Sequence, residues 1–156
     1  MDICGVGVAE SGGVEVVVGL TFQATDVKKA LTAVWRICAK GNIVQFGGSP
    51  EDCFIRNKAS NRKIFMWKKK GSYVLDVEFV TKKDVVAVSL GKGEITVDSA
   101  ADESVCPLDW GGAFPLKEPK KKMCFKTASG QDMQHYGERV VTRITQSKPA
   151  GFVRPS

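Results

Sequence analysis

Residues 94–106 read Glu94-Ile95-Thr96-Val97-Asp98-Ser99-Ala100-Ala101-Asp102-Glu103-Ser104-Val105-Cys106. Ile95, Thr96 and Val97 are β-branched and favour an extended strand. Directly behind them stand an Asp-Ser pair and two alanines, whose small side chains permit a sharp turn close to other backbone. Two readings follow. The stretch is either a plain strand closed by an Asx-type turn, or a strand that delivers the Asp98 carboxylate rigidly to a reaction centre.

Working outward, the neighbouring sequence is strand-like. Tyr73, Leu75, Val77 and Phe79 alternate with Asp76 and Glu78, the period of a strand with two unlike faces. Val85–Leu90 is a further strand, and Gly91-Lys92-Gly93 is expected to turn the chain into the Asp98 strand. Upstream, Val14–Phe22 reads as a strand with a kink or bulge at Gly19. Asn42–Phe46 is a strand, and Phe54–Arg56 with Lys63–Trp67 flanks a polar loop in a hairpin pattern. Downstream, Leu108–Pro119 carries Gly111, Gly112, Pro115 and Pro119 and reads as a loop. Met123–Thr127 and Arg139–Thr145 are strands, with a turn at Ser129-Gly130. Short strands at this spacing predict a β-barrel or sandwich rather than a parallel α/β sheet. One segment breaks the pattern: after Asp26, residues Val27, Ala30, Leu31, Val34, Ile37 and Cys38 share one face of a helix, with Asp26 as N-cap and Gly41 as stop.

Composition bounds the function. The chain has 156 residues, 43% hydrophobic and 26% charged, the size and balance of one globular domain. No apolar run approaches the ~20 residues of a membrane span, and no basic residue precedes Lys28 as a secretory leader would require. Cys4, Cys38, Cys53, Cys106 and Cys124 are dispersed and odd in number, which predicts free thiols in a reducing compartment. A soluble intracellular protein is therefore expected, without a membrane partner. One histidine and no Cys-x-x-Cys pair argue against zinc. The glycines of 1–13 lack dinucleotide-loop spacing. That segment is read as a flexible arm with a possible strand at Val6–Val8, and 147–156 as a loose tail. The net charge is +6, with basic runs at Lys68–Lys70, Lys82–Lys83 and Lys120–Lys122. No aromatic platform is interleaved with them, so nucleic acid is not the expected partner.

Val97-Asp98-Ser99-Ala100-Ala101 resembles the hydrophobic-Asp-Ser/Thr-Gly-Ala signature of retropepsins, and its surroundings are similar to the protease of copia-type retrotransposons. Ser129-Gly130 and Tyr136-Gly137-Glu138-Arg139-Val140 look like that family's flap and next strand. Leu20-Thr21-Phe22-Gln23, Val27–Ile37, Gly41–Phe46, Ile55–Lys58 and Gly71–Leu75 are similar, in order, to its second half. The halves are reversed here: second half over 14–80, a join over 81–93, active-site half over 94–146. The chain reads as a circular permutation, or as a piece cut across two tandem copies. Family chain ends lie close together at the dimer-forming sheet, so a join near Val80–Leu90 is geometrically reasonable.

The resemblance implies an all-β, retropepsin-like closed barrel with one short helix. It implies that Ala30-Leu31-Thr32 is an inner strand and turn, so that only Ala33–Lys40 is helical; this shorter helix is the expectation adopted here. It also implies peptide-bond hydrolysis of a retroelement polyprotein, with no cofactor, by a homodimer pairing one Asp98 from each copy. Two carboxylates share a proton; one activates water and the other polarises the scissile carbonyl. By this carry-over Asp98 is catalytic and Ser99 braces it through its hydroxyl. Ala100 and Ala101 let the loops approach the substrate, and Ser129 and Gly130 lie in the flap. Ala100 stands in a glycine's place, which would cost about 1 kcal/mol if positive φ were needed there. Ala100 and the block order favour the competing reading, an inactive module of the same fold that binds peptide without cutting it. A Ser-His-Asp triad or a cysteine nucleophile would have to use lone His135, which is expected to make a surface hydrogen bond.

Overall fold

The computed structural model describes residues 3–8, 14–83 and 86–146. In chain order the strands are β1 Ile3–Val8, β2 Val14–Thr25 and β3 Ala30–Ala33, followed by the helix α1 Val34–Ala39. Then come β4 Asn42–Gln45, β5 Phe54–Asn57, β6 Lys63–Phe65, β7 Trp67–Lys69, β8 Ser72–Lys83 and β9 Val86–Asp98. The series ends with β10 Val105–Cys106, β11 Leu116–Lys117, β12 Phe125–Lys126, β13 Asp132–Met133 and β14 His135–Gln146.

Six of these strands close a barrel in the order β2-β10-β3-β9-β8-β14, with β14 pairing back onto β2. The protein is thus an all-β closed barrel with one short helix among its described residues. Closure leaves no free edge strand within that ring. The interior is apolar: Leu20, Phe22 and Ala24 of β2 meet Leu75, Val77 and Phe79 of β8, Ile95 and Val97 of β9, and Val141 and Ile144 of β14. Each fully buried large side chain contributes about 1.5–3 kcal/mol. Trp110 packs edge-on against Phe22 and Phe79, at centroid distances of 4.7 and 5.0 Å. The small sheet β4-β5-β6 adds Ile55 and Ile64 to the same core. It is tied to the barrel by the Phe65 N–H, which donates to Gln146 Oε1 at 3.2 Å.

Local sequence explains most of these elements. The helix is the shorter of the two alternatives: the apolar spacing after Asp26 is helical, yet Ala30–Ala33 is taken by ladder bonds to β9 and β10 on either side. Tertiary pairing overrides periodicity there. Between β2 and β14 the register slips between the pairs Val141↔Leu20 and Arg143↔Val17, which places the expected bulge at Val18-Gly19.

Gly91-Lys92-Gly93 is not a turn. β9 runs through it, with Phe79 opposite Gly91 and Val80 opposite Ser89, so Leu90 is the extra residue of a bulge. Gly91 supplies the φ of 127° that this bulge uses. Gly93 has its own reason: a Cβ there would lie 2.7 Å from the Phe79 ring. The 81–93 join is therefore one hairpin, paired to Lys83↔Val86. Residues 84 and 85, like the expected tail 147–156 and residues 1, 2 and 9–13 of the expected arm, lie outside the described residues. Gln146 belongs to β14 and is buried. Leu108–Pro119 is a loop as expected, interrupted by β11, which pairs with β14.

Candidate active site

β9 carries Asp98 to one end of the barrel. There β3 lies between β9 and β10, parallel to the first (Ala33↔Asp98) and antiparallel to the second (Val105↔Leu31). The chain after Asp98 must therefore arch over the end of β3 before descending as β10. Small residues suit that arch. The Asp98 carboxylate accepts the Ala100 N–H through Oδ1 at 2.9 Å, so the Asx-type turn and the rigidly held carboxylate are one arrangement. Among the described residues only Asn61 and Lys70 combine a side chain with left-handed φ, at 59° and 52°. Ala100 is not in that region, and replacing glycine there carries no backbone strain.

Four contacts fix the arch from outside. The Ser104 hydroxyl accepts the Ala33 N–H at 3.0 Å, and its carbonyl accepts the Gln23 N–H at 2.8 Å, so one buried serine ties β3 to β2. Trp35 Nε1–H donates to the Asp102 carbonyl at 2.8 Å. Arg36 pairs with Glu103 at 2.5 Å and lies 4.4 Å from the centroid of the Trp35 ring. Helix α1 thus clamps both residues that follow Ala101. Sequence reasoning gave Ser104, Arg36 and Glu103 no role; no local pattern announces a partner 67 residues away.

Opposite the arch stands the β12–β13 hairpin, paired only at Phe125↔Met133 and Lys126↔Asp132. Its turn is closed by Gly130 N–H to the Thr127 carbonyl at 2.9 Å and requires the Gly130 φ of 87°. The Ser129 and Thr127 hydroxyls lie 2.9 Å apart. Its base is anchored by Asp26, whose carboxylate accepts the Tyr136 hydroxyl at 2.6 Å and the Gln134 N–H at 2.9 Å. The Tyr136 hydroxyl first, and the Gln134 N–H second, hold the Asp26 carboxyl below its ordinary value; the same bond pushes the Tyr136 hydroxyl up. Asp26 is thus a tether rather than the N-cap that the helical spacing had offered.

Hairpin and arch enclose an open cavity of about 500 Å³. Asp98 and Ala101 face it from one side, Phe125 and Met133 from the other, with Val27 and Leu31 at the wall. Of the six residues singled out from sequence, Asp98 and Ala101 line the cavity. Ser99 and Ala100 are exposed at the crest of the arch, and Ser129 and Gly130 are exposed at the hairpin turn. The bond that braces the carboxylate comes from the Ala100 backbone.

Of the rival groups, His135 and Cys106 are otherwise engaged, while the Cys124 thiol is free and exposed beside the cavity. His135 is buried rather than at the surface: its Nδ1 accepts the Met123 N–H at 3.1 Å, which leaves Nε2–H to donate to Gln23 Oε1 at 2.8 Å. Both ring nitrogens are occupied. Burial pushes the Cys106 thiol up to about 12, far from the thiolate a nucleophile needs. Among the described residues no helix is long and apolar enough to cross a membrane.

Comparison with protein-family models, with curated proteins and with solved structures found no match.

Proposed function

We propose that this protein is an aspartic endopeptidase of the retropepsin kind, acting as a homodimer on polyprotein-type substrates. The observation that carries the reading is Asp98 itself. It stands at the end of a barrel strand, held by a backbone N–H, and opens into a cavity covered by a two-pair hairpin. The inner strand Ala30–Ala33 leading into a short helix is also what the resemblance implies.

One carboxylate cannot serve as base and acid at once. In the proposed dimer the Asp98 of a second copy supplies the other, the two share one proton, and they titrate as a pair. The deprotonated member takes a proton from water as the oxygen attacks the scissile carbonyl. The protonated member donates to the carbonyl oxygen. On collapse the carboxyl that took water's proton gives it to the leaving nitrogen, the other carboxylate takes a hydroxyl proton back, and the C–N bond breaks to release acid and amine. The β12–β13 hairpin folds over the peptide and excludes water. The exposed crest Ser99-Ala100 is free to meet the same crest of the partner.

A second reading follows from the same geometry. A chain that stays monomeric keeps the cavity but has one signature carboxylate, and it would hold peptide without cutting.

The test is cleavage of a mixed peptide library from about pH 4 to 7, with Asp98→Asn beside the parent and sedimentation run in parallel. Cleavage lost about 10³-fold or more in Asp98→Asn is the expected result. Folded, monomeric protein without cleavage would establish the binding module instead. Cleavage that survives the substitution would remove Asp98 from the chemistry.

A further inference from the structure

The stretch 54–73, which spans β5, β6 and β7, carries Arg56, Lys58, Arg62, Lys63 and Lys68–Lys70 and no acid. Its cations alone exceed the net charge of the whole chain, +6.

Register gathers them. Arg56 of β5 lies directly opposite Lys63 of β6, so both side chains leave one face of the small sheet, and Phe54 shares it. Like charges directly opposed across a ladder destabilise it. Both of these have neutral partners: Arg56 Nη1–H donates to Asn61 Oδ1 at 3.0 Å, and the Lys63 ammonium lies 4.3 Å from the Phe54 ring centroid. Lys58 and Arg62 are exposed in the loop that joins the two strands. Among the described residues none of these four has a carboxylate within ion-pair distance. Elsewhere the molecule relieves such a pair: Asp76 opposes Glu94, and Lys69 reaches Glu94 at 2.6 Å. Lysine or arginine can also guard a free sheet edge, but Arg56 stands on β5, the middle strand of its sheet.

A single residue, Met66, separates β6 from β7, so Lys68 is at most about 18 Å along the chain from Lys63. Lys68 lies 5.8 Å from the Tyr73 ring centroid, and that ring packs at 4.7 Å against exposed Phe46. Along the chain no aromatic platform alternates with the lysines; in space, rings and ammonium groups stand side by side.

We propose that this cationic strip binds single-stranded nucleic acid. Phosphates meet Arg56, Lys63 and the loop between them, and a base stacks on Phe46 beside Lys68. The inference does not rest on the peptidase reading, since none of these residues lines the Asp98 cavity. A polyanion with a regular charge repeat relieves the repulsion between Arg56 and Lys63 and releases its own counterions. An exposed ring favours the single strand over a duplex, whose bases are already stacked on one another. A membrane surface fits less well, because Phe46 is the one exposed large hydrophobic side chain of residues 42–73.

The test is fluorescence anisotropy of a labelled single strand of about 16 nucleotides with the full chain, titrated with salt. The logarithm of affinity should fall with that of salt, with a slope of about −0.7 per phosphate contacted. Arg56→Gln/Lys63→Gln should make that slope shallower by about 1.4 and weaken binding roughly tenfold at low salt. Phe46→Ala should weaken it about fivefold and leave the slope alone. Removing a like-charge pair should leave denaturant unfolding no earlier than in the parent, so lost binding would report lost contacts. If Arg56→Gln disturbs the hairpin through Asn61, the exposed pair Lys58→Gln/Arg62→Gln carries the same comparison. Absence of binding at low salt overturns the proposal. So does binding that survives these substitutions and is lost in Lys120→Gln/Lys121→Gln/Lys122→Gln. A duplex held as tightly as the single strand, with Phe46→Ala silent, would remove the stacking site. Equal competition by polyglutamate or by anionic lipid vesicles would assign the strip to an acidic protein or a membrane instead.

Discussion

Two hairpins meet at the cavity, and they are built in opposite ways. β8–β9 is paired from Tyr73↔Val97 to Lys83↔Val86, and its inward residues belong to the barrel core. β12–β13 is paired at two positions, and the face away from the cavity is solvated. The first presents Asp98 from a ladder that can open only with the barrel itself. The second can open alone, because it buries little and breaks few backbone bonds when it moves. One hairpin fixes an atom in place and the other lets a chain in; the difference lies in how much of each is shared with the core.

The comparison is tested most severely by Ile95→Ala on the rigid side. Ile95 is fully buried in β9, and its truncation should cost about 2–5 kcal/mol in denaturant unfolding. A loss no larger than that of a surface substitution would mean the β9 ladder is not the fixed frame described above. Ser104→Ala comes next. It leaves the buried Ala33 N–H without its acceptor beside the Asp98 arch, and should cost about 1–3 kcal/mol by the same measurement.

Asp26→Ala addresses the mobile side. It removes the tether at the base of the β12–β13 hairpin, so amide exchange at Gln134 and across the hairpin should quicken while the global unfolding midpoint barely moves. If the midpoint falls as far as in Ser104→Ala, the hairpin is part of the global fold after all. The tether also has a pH window with a defined sign. The folded Asp26 carboxyl is held low, so its contribution is complete above the ordinary carboxylate value of about 4 and is lost as pH falls through the lower folded value. At the alkaline end the bond persists until pH rises through the raised value of Tyr136. Hairpin protection, taken relative to the intrinsic base-catalysed exchange rate, should accordingly be flat from weakly acid to alkaline pH in the parent.

The smallest effect has the opposite direction. Asp76 sits directly across from Glu94 on the outer faces of β8 and β9, where desolvation first and the Glu94 charge second push its carboxyl up. A carboxyl raised by folding weighs against the folded state once pH exceeds its value. Asp76→Asn should therefore stabilise at neutral pH by about 0.5 kcal/mol, and the gain should vanish in acid. Lys69, 2.6 Å from Glu94, already offsets part of that repulsion.

What could be read from the sequence was local or periodic. The alternation of Tyr73–Phe79, the β5–β6 hairpin and the bulge at Gly19 were all visible, because each is encoded within a few neighbouring residues. The shorter helix needed more than periodicity, since ladder bonds from β9 and β10 claim Ala30–Ala33. Gly91 and Gly93 were misread as a turn because a glycine required by a bulge or by a facing ring looks the same in sequence as one required by reversal. Asp98 and Ala101 were singled out by a short motif as catalytic and substrate-facing, and what the structure adds is that both line the cavity. Asp26, Ser104, Arg36 and His135 were not, since each acts through a partner far along the chain, and one-dimensional pattern carries no record of such pairs.

Closure of the barrel by β14 on β2 has a consequence for the order of events during synthesis. β8 and β9 are sequence neighbours and can pair as soon as both have left the ribosome. The β2 ladder must wait for Val140 and Val141 to reach Thr21 and Leu20, and the hairpin that covers Asp98 is tethered through Gln134 and Tyr136 just ahead of them. Long-range pairing of this kind is slow and comes late. A nascent chain would thus carry an ordered Asp98 strand well before it has a covered groove, so the proposed proteolysis would have to wait until β14 has been made.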